Sequence, residues 1–256
     1  MQLDLNIELV RHYHSASQVA RILTESWVTD NMFCPQCGHL HIEHFGNNRP
    51  VADFFCPICR NEYELKSKNG ALGNKVADGA YETMIERITG NENPDFFFMN
   101  YSKASFKVVD FIFIPKYFFV PAIVEKRNPL KDTARRAGWV GCNILIGRIP
   151  EQGRIDIVSN GIASDITSVM KKVKKSARLQ TTNIESRNWM MDVLNCINRI
   201  PTMEFTLDDI YRFDNILHTM HPYNNNIRPK IRQQLQVLRD RGFIEFTKRG
   251  KYTKIT

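Results

Sequence analysis

The chain reads as a mixed α/β (α+β) domain carrying a zinc-binding insertion, followed by a C-terminal winged helix. Three observations predict this. Helical and strand-like apolar patterns alternate through residues 1–182, the signature of a mixed domain with a small central sheet. Two cysteine pairs interrupt that pattern at 34–37 and 56–59. From residue 183 to 256 the order changes to three helices and then a hairpin.

Taken in order, Val19, Ile22, Leu23 and Trp27 recur at helical spacing and predict a helix over 15–30. Short strands are expected at 51–55 and 62–68. Ala80, Met84, Ile85 and Ile88 share one side of a helix expected over 78–88. The stretches 96–101 and 108–115 are rich in aromatic and β-branched residues and read as buried strands, with another at 155–158. Residues 171–178 are basic and hold Val173 as their large apolar residue. With the polar run 180–183 they read as the end of the first domain and a linker, a solvated helix face being the alternative.

Beyond that point a helix is expected over 185–200, with Trp189, Val193, Leu194, Cys196 and Ile197 available for a core. Thr206 followed by Asp209 is a helix-start signal, a hydroxyl cap with a carboxylate three residues on. Ile231, Leu235 and Leu238 mark a third helix over 227–239, and strands at 243–246 and 252–255 flank a Thr-Lys-Arg-Gly turn.

Of the 256 residues 43% are hydrophobic and 24% charged. That excludes a disordered chain, a collagen-like fibre and a disulfide-dependent miniature scaffold. The net charge is +8, and residues 228–254 alone hold nine basic side chains against Asp240 and Glu245. Such a concentrated surplus points to a polyanionic partner, most often nucleic acid. Met1 is followed by Asp4, Glu8 and Arg11, with no apolar run of a secretory signal. The most apolar stretch, 111–124, is broken by Pro115, Lys116 and Pro121 and is short for a membrane span. A cytoplasmic protein without membrane attachment is expected, and disulfides are not.

The cysteines therefore need another explanation. Cys34, Cys37, Cys56 and Cys59 form a C-x2-C-x18-C-x2-C pattern. Each pair puts two thiolates on one tight turn, and two turns complete the tetrahedral shell zinc takes in a structural site. His39, His41 and His44 lie between the pairs and could replace one ligand, but read better as surface or DNA-contacting residues. Cys142 and Cys196 read as ordinary buried cysteines.

The second pair sits at the turn between the two short strands. Alternation along a strand puts Glu62, Glu64, Lys66 and Lys68 on one face, with Asp53 on the neighbouring strand. Carboxylates of Asp53 and Glu64 converging in a cleft would bind Mg2+, a hard cation that prefers oxygen. Such an ion polarises a phosphate and acidifies an attacking water. Lys66 would then hold the nucleophile or offset the anionic transition state.

The Asp53…Glu64-Leu65-Lys66 pattern resembles that of the PD-(D/E)xK nucleases, and the longer match is to the DpnI family of methyl-directed restriction endonucleases. The segments that carry it are ARILTE at 20–25, CPQCG at 34–38, NRPVADF at 48–54 and ELKSK at 64–68. They continue as NPDFFF at 93–98, TARRAGW at 133–139, GCN at 141–143, EFTL at 204–207 and IRQQLQVLRD at 231–240. One departure is that Pro50 lies three residues before Asp53 rather than next to it. The resemblance implies a type II site-specific deoxyribonuclease, with a nuclease domain at 1–182 and a winged-helix domain at 183–256. It implies cleavage of double-stranded DNA at GATC carrying N6-methyladenine, by a chain expected to be a monomer. It also implies Asp53, Glu64 and the Leu65 carbonyl as magnesium ligands, Lys66 as the catalytic lysine, and the four cysteines as zinc ligands.

A methyl group contributes only about 1 kcal/mol of transfer energy, so reading it also needs shape and exclusion. Trp139 is the candidate for an apolar methyl pocket, beside Arg135 and Arg136; a core tryptophan is the alternative. Trp189 fits the winged-helix core better. The third helix is the candidate recognition helix, with Arg228, Lys230, Arg232, Gln233 and Gln236 as its polar positions. Lys248, Arg249 and Lys251 on the wing would meet phosphate. Two other functions share these features: a non-catalytic methyl reader with a decayed nuclease core, and a nuclease without methyl requirement. The intact Asp53, Glu64 and Lys66 trio disfavours the first, and the resemblance alone disfavours the second.

Overall fold

The computed structural model describes residues 1–46 and 52–255. The expected start of the first short strand, Val51, and the whole NRPV part of the NRPVADF segment, 48–51, lie outside these. The strands are β1 (Glu43–His44), β2 (Phe54–Phe55), β3 (Glu62–Asn69), β4 (Val76–Ala80), β5 (Asp95–Ser102), β6 (Lys107–Ile114) and β7 (Val124–Lys126). They continue as β8 (Gly141–Ile144), β9 (Ile155–Ser159), β10 (Ile162–Ala163), β11 (Glu204–Thr206), β12 (Ile244–Lys248) and β13 (Lys251–Lys254). The helices are α1 (Ala16–Asn31), α2 (Tyr81–Thr89), α3 (Ile166–Ala177), α4 (Ile184–Arg199), α5 (Leu207–Tyr211), α6 (Asp214–Met220) and α7 (Ile227–Asp240).

Among the described residues the main sheet runs β1-β2-β3-β5-β6-β9-β10, with β3 and β5 parallel and the other neighbours antiparallel. Its central strand explains the aromatic run in the sequence. Phe96, Phe97, Phe98 and Met99 of β5 are all fully buried because both faces of the strand are covered. Burying each phenylalanine contributes roughly 1.5–3 kcal/mol. Tyr63, Phe97, Met99, Phe111 and Phe113 pack on one face against Leu23, Trp27 and Val28 of α1 and Val169 and Val173 of α3. Phe96, Phe98 and Ile114 face the other way, into a core that continues without a break into the C-terminal helices. α4 is the shared element: Trp189, Met190, Met191, Val193, Leu194, Cys196 and Ile197 are all buried. The helix is enclosed on nearly every side, and its buried polar side chains are bonded, Arg187 to the Phe119 carbonyl and Asp192 to His221.

The C-terminal part is winged-helix-like, with α4 to α7 and the three-stranded sheet β11-β13-β12. The expected capping box is present: the Thr206 hydroxyl accepts from Asp209 N–H, and Asp209 accepts from Thr206 N–H. The second helical stretch is split at Arg212 and Phe213, giving four helical segments, and β11 is an added strand.

Two expectations are corrected. Of the two readings of 171–178 the helix holds and the linker does not: these residues are the last turns and C-cap of α3, whose N-cap Asp165 accepts from Ser168 N–H. Val169, Val173 and Ser176 form its buried stripe, a pattern too narrow to stand out among the lysines. The helix expected from 78 starts at Tyr81, and Asp78 lies instead in β4. There Ala77 and Asp78 pair with Asn143 and Cys142 of β8, in a second sheet ordered β4-β8-β7. Ala, Asp and Gly are poor strand formers, so this pairing overrides local preference. No helix among the described residues is long and apolar enough to cross a membrane.

Candidate functional site

The four-cysteine cluster is assembled from two similar turns. Cys34 N–H donates to the His39 carbonyl and Gly38 N–H to the Cys34 carbonyl; likewise Cys56 N–H donates to Asn61 and Arg60 N–H to Cys56. Each turn needs a left-handed residue after its second cysteine, supplied by Gly38 at φ +79° and Arg60 at φ 61°. The four Sγ atoms all lie within 4.8 Å of one another. Cys34 and Cys59 are 3.5 Å apart and Cys37 and Cys56 3.6 Å, the donor set and closure of a structural zinc site. The histidines take other roles: His44 lies 3.1 Å from Glu25, His39 gives its carbonyl to Cys34, and His41 is exposed. Cys142 and Cys196 are buried as expected, and burial pushes their thiols up to about 11 and about 12.

Two side chains missed in the sequence tie this cluster to the sheet. Tyr63 of β3 places its hydroxyl 2.9 Å from Cys34 Sγ. Asp95 of β5 is fully buried and accepts from Gln36 Nε2 (2.6 Å), Asn61 Nδ2 (2.7 Å) and Lys116 N–H (2.7 Å). Gln36 belongs to one cysteine turn and Asn61 follows the other, so one carboxylate fastens both.

Glu64 and Lys66 alternate with Tyr63 and face the opposite side of β3, the side of Phe96 and Phe98. The pairing of β2 with β3 sets Phe54 against Tyr63. It thereby brings Asp53 alongside: Asp53 N–H donates to the Tyr63 carbonyl (2.9 Å), and Asp53 Oδ2 accepts from Leu65 N–H (2.7 Å). Lys66 Nζ donates to Glu64 Oε1 at 2.5 Å and also contacts Asp78 Oδ1. Asp78 is the second acidic residue the sequence does not single out, because its local pattern reads as the start of a helix and the structure puts it in β4.

Burial raises the Glu64 carboxyl to about 7, and the nearby Asp78 and Asp53 carboxylates add to the rise while Lys66 opposes it. Burial also works against the Lys66 ammonium, but Glu64 and Asp78 outweigh it and hold the lysine above its ordinary value. The structure thus sets Glu64 and Asp78 on one lysine in a largely desolvated recess, with Asp53 near Glu64. The carboxylates of Asp53 and Glu64 are oxygen donors of the kind a hard divalent cation prefers.

The candidate DNA-contacting residues fall in three places. Arg135 and Arg136 are exposed on the loop between β7 and β8, which closes where Leu130 N–H donates to the Trp139 carbonyl (2.9 Å). Trp139 is half-buried, outside both core clusters, with the Arg136 guanidinium 4.7 Å from its ring centre. On α7, Arg228, Arg232, Gln233 and Gln236 are exposed, with Arg228 bonded to Asp214 (2.6 Å) and Arg232 to the Tyr211 hydroxyl (2.8 Å). Lys230 lies on the flank of that helix, half-buried and 6.0 Å from the ring of the core residue Trp189. Lys248, Arg249 and Lys251 are exposed on the wing.

Residues 1–182 match the family described as DpnI: Dam-replacing family. Residues 185–254 match the one described as Dam-replacing HTH domain, which together with the winged-helix-like arrangement supports DNA binding. With most of its length covered, the chain belongs to the DpnI Dam-replacing family, and that membership supports a nuclease of the methyladenine-directed restriction type in general.

Proposed function

We propose that this chain is a methylation-dependent type II restriction endonuclease. It would hydrolyse phosphodiester bonds of double-stranded DNA at GATC carrying N6-methyladenine, with Mg2+ as its catalytic ion. On this reading residues 1–182 form a PD-(D/E)xK nuclease domain and residues 183–256 a winged-helix DNA-binding domain. The observation that carries it is the meeting of Asp53, Glu64 and Lys66 on one side of the β2–β3 hairpin, with Asp53 bonded to the Leu65 backbone between the other two.

Asp53, Glu64 and the Leu65 carbonyl would hold Mg2+, all oxygen donors. The ion, when bound, supplies charge to the scissile phosphate and a more acidic water. Lys66 brings an ammonium already desolvated by its surroundings, where its attraction for an anionic transition state is stronger than in bulk water. The zinc cluster acts structurally, fixing the hairpin that carries Asp53. Arg135, Arg136 and the wing residues would engage phosphate, α7 the major groove, and Trp139 the methyl group.

The test is incubation with Mg2+ and one plasmid in two forms, adenine-methylated at GATC or unmethylated. Cutting confined to the methylated form, and lost in Asp53→Ala and Glu64→Ala with DNA binding kept, is the expected result. Cutting of both forms removes the methyl requirement. Cutting of neither, with tight binding, identifies a reader instead.

A further inference from the structure

We propose that Asp78 is a positioning residue for Lys66, holding its ammonium in place so that Glu64 is free to face the cation. This rests on the reading of Asp53, Glu64 and Lys66 as the cleavage site. In the structure Lys66 Nζ is shared by two carboxylates, Glu64 at 2.5 Å and Asp78. Lys66 takes Oε1 of Glu64, and a divalent ion on the same carboxylate withdraws its charge and weakens its hold on the ammonium. A lysine on a four-carbon flexible stem then needs a second anchor to stay aimed. Asp78 is that anchor.

Its placement fits the role. It comes from another sheet, where pairing of Asp78 with Cys142 and of Ala77 with Asn143 fixes the backbone independently of β3. Its side chain is 6% exposed, against 19% for Lys66 and 18% for Glu64, so it stands behind the lysine rather than at the mouth of the recess. Nζ contacts both Asp78 and Glu64, so the Asp78 carboxylate is engaged with the lysine. The carboxylates of Asp53, Glu64 and Asp78 with one ammonium sum to the charge that a single divalent ion neutralises.

The experiment uses the full chain with Asp78→Asn and Asp78→Glu. It measures single-turnover cleavage of methylated plasmid, DNA affinity, the Mg2+ concentration for half-maximal rate, and thermal melting. Asp78→Asn should cut about 100-fold more slowly, the cost typical of a misplaced reacting group. DNA affinity and the Mg2+ midpoint should stay within about twofold of wild type, the pattern of a group that acts in the transition state alone. Asp78→Glu, which keeps the charge, should recover part of the rate.

An unchanged rate in Asp78→Asn overturns the proposal. So does a tenfold shift in the Mg2+ midpoint, which would make Asp78 a cation ligand. Equal losses in both variants, or melting lowered by more than about 10 °C in both, would assign it to the fold. Lys66→Ala is the control: wild-type cutting by that variant defeats the site assignment itself, whereas an inactive Lys66→Ala beside a fully active Asp78→Asn defeats only the positioning role.

Discussion

The hydroxyl of Tyr63 lies 2.9 Å from Cys34 Sγ, and the next residue, Glu64, faces the opposite side of the same strand. The two-residue period of a strand thus sets the metal cluster and the acidic recess back to back. Tyr63→Phe removes one hydrogen bond to a thiolate ligand without changing the ring packed on Phe97. Outer-shell partners of this kind are worth about 10–100-fold in metal affinity, so zinc should be lost to a chelator at least about tenfold more readily. Competition with a colorimetric chelator measures this, and equal affinities would deny the coupling. Full removal of zinc should also abolish cleavage, with recovery on adding Zn2+ but not on adding Mg2+ alone.

Asp95 makes a second such link. Replacing it by alanine leaves Gln36, Asn61 and the Lys116 N–H without their shared acceptor. The side-chain amides can turn toward water, but the backbone donor cannot. A buried donor left unsatisfied costs about 1–3 kcal/mol, and the cavity adds to it. Asp95→Ala should therefore lower the unfolding free energy by about 3 kcal/mol, read from denaturant titration. A change too small to measure would mean that both cysteine turns hold without it.

Much of this was legible beforehand, for identifiable reasons. The cysteine spacing, the alternation in Glu62 to Lys68 and the apolar run of β5 are local patterns, and the structure kept them. What escaped depended on partners far along the chain. Asp78 is in a strand only because β8, more than sixty residues later, pairs with it. Tyr63 and Asp95 look like ordinary core and strand-end residues until the two cysteine turns are folded over them. The α3 stripe of Val169, Val173 and Ser176 was masked by the lysines that share its turns. Trp139 is half-buried and outside both core clusters, so it is not the core tryptophan that the sequence also allows.

The position of Trp139 depends on Gly141. A Cβ at Gly141 would lie 2.8 Å from Cη2 and Cζ3 of the indole, so Gly141→Ala must displace the ring. Trp27 and Trp189 are 3% and 1% exposed, which leaves Trp139 as the tryptophan open to a solution quencher. Acrylamide quenching should rise in Gly141→Ala, with a stability loss of about 1–3 kcal/mol if the ring resists. If the indole forms the methyl pocket, the variant should also narrow the difference in affinity between methylated and unmethylated GATC duplexes. Unchanged discrimination with a displaced ring would take Trp139 out of methyl recognition.

The wing and α7 should separate affinity from specificity. Arg249 is exposed beside Gly250, whose φ of +72° closes the wing turn, and its removal disturbs no core contact. Arg249→Ala should therefore leave stability within about 0.5 kcal/mol. It should weaken binding of methylated, unmethylated and unrelated duplexes alike and reduce the slope of log affinity against log salt by about 1. Gln236→Ala, on the exposed face of α7, should do the opposite: the salt slope stays, and discrimination among sequences falls by about 1–3 kcal/mol. Fluorescence anisotropy over a salt series with the two variants measures both quantities. A sequence-selective loss in Arg249→Ala, or a changed slope in Gln236→Ala, would reverse the roles assigned to wing and helix.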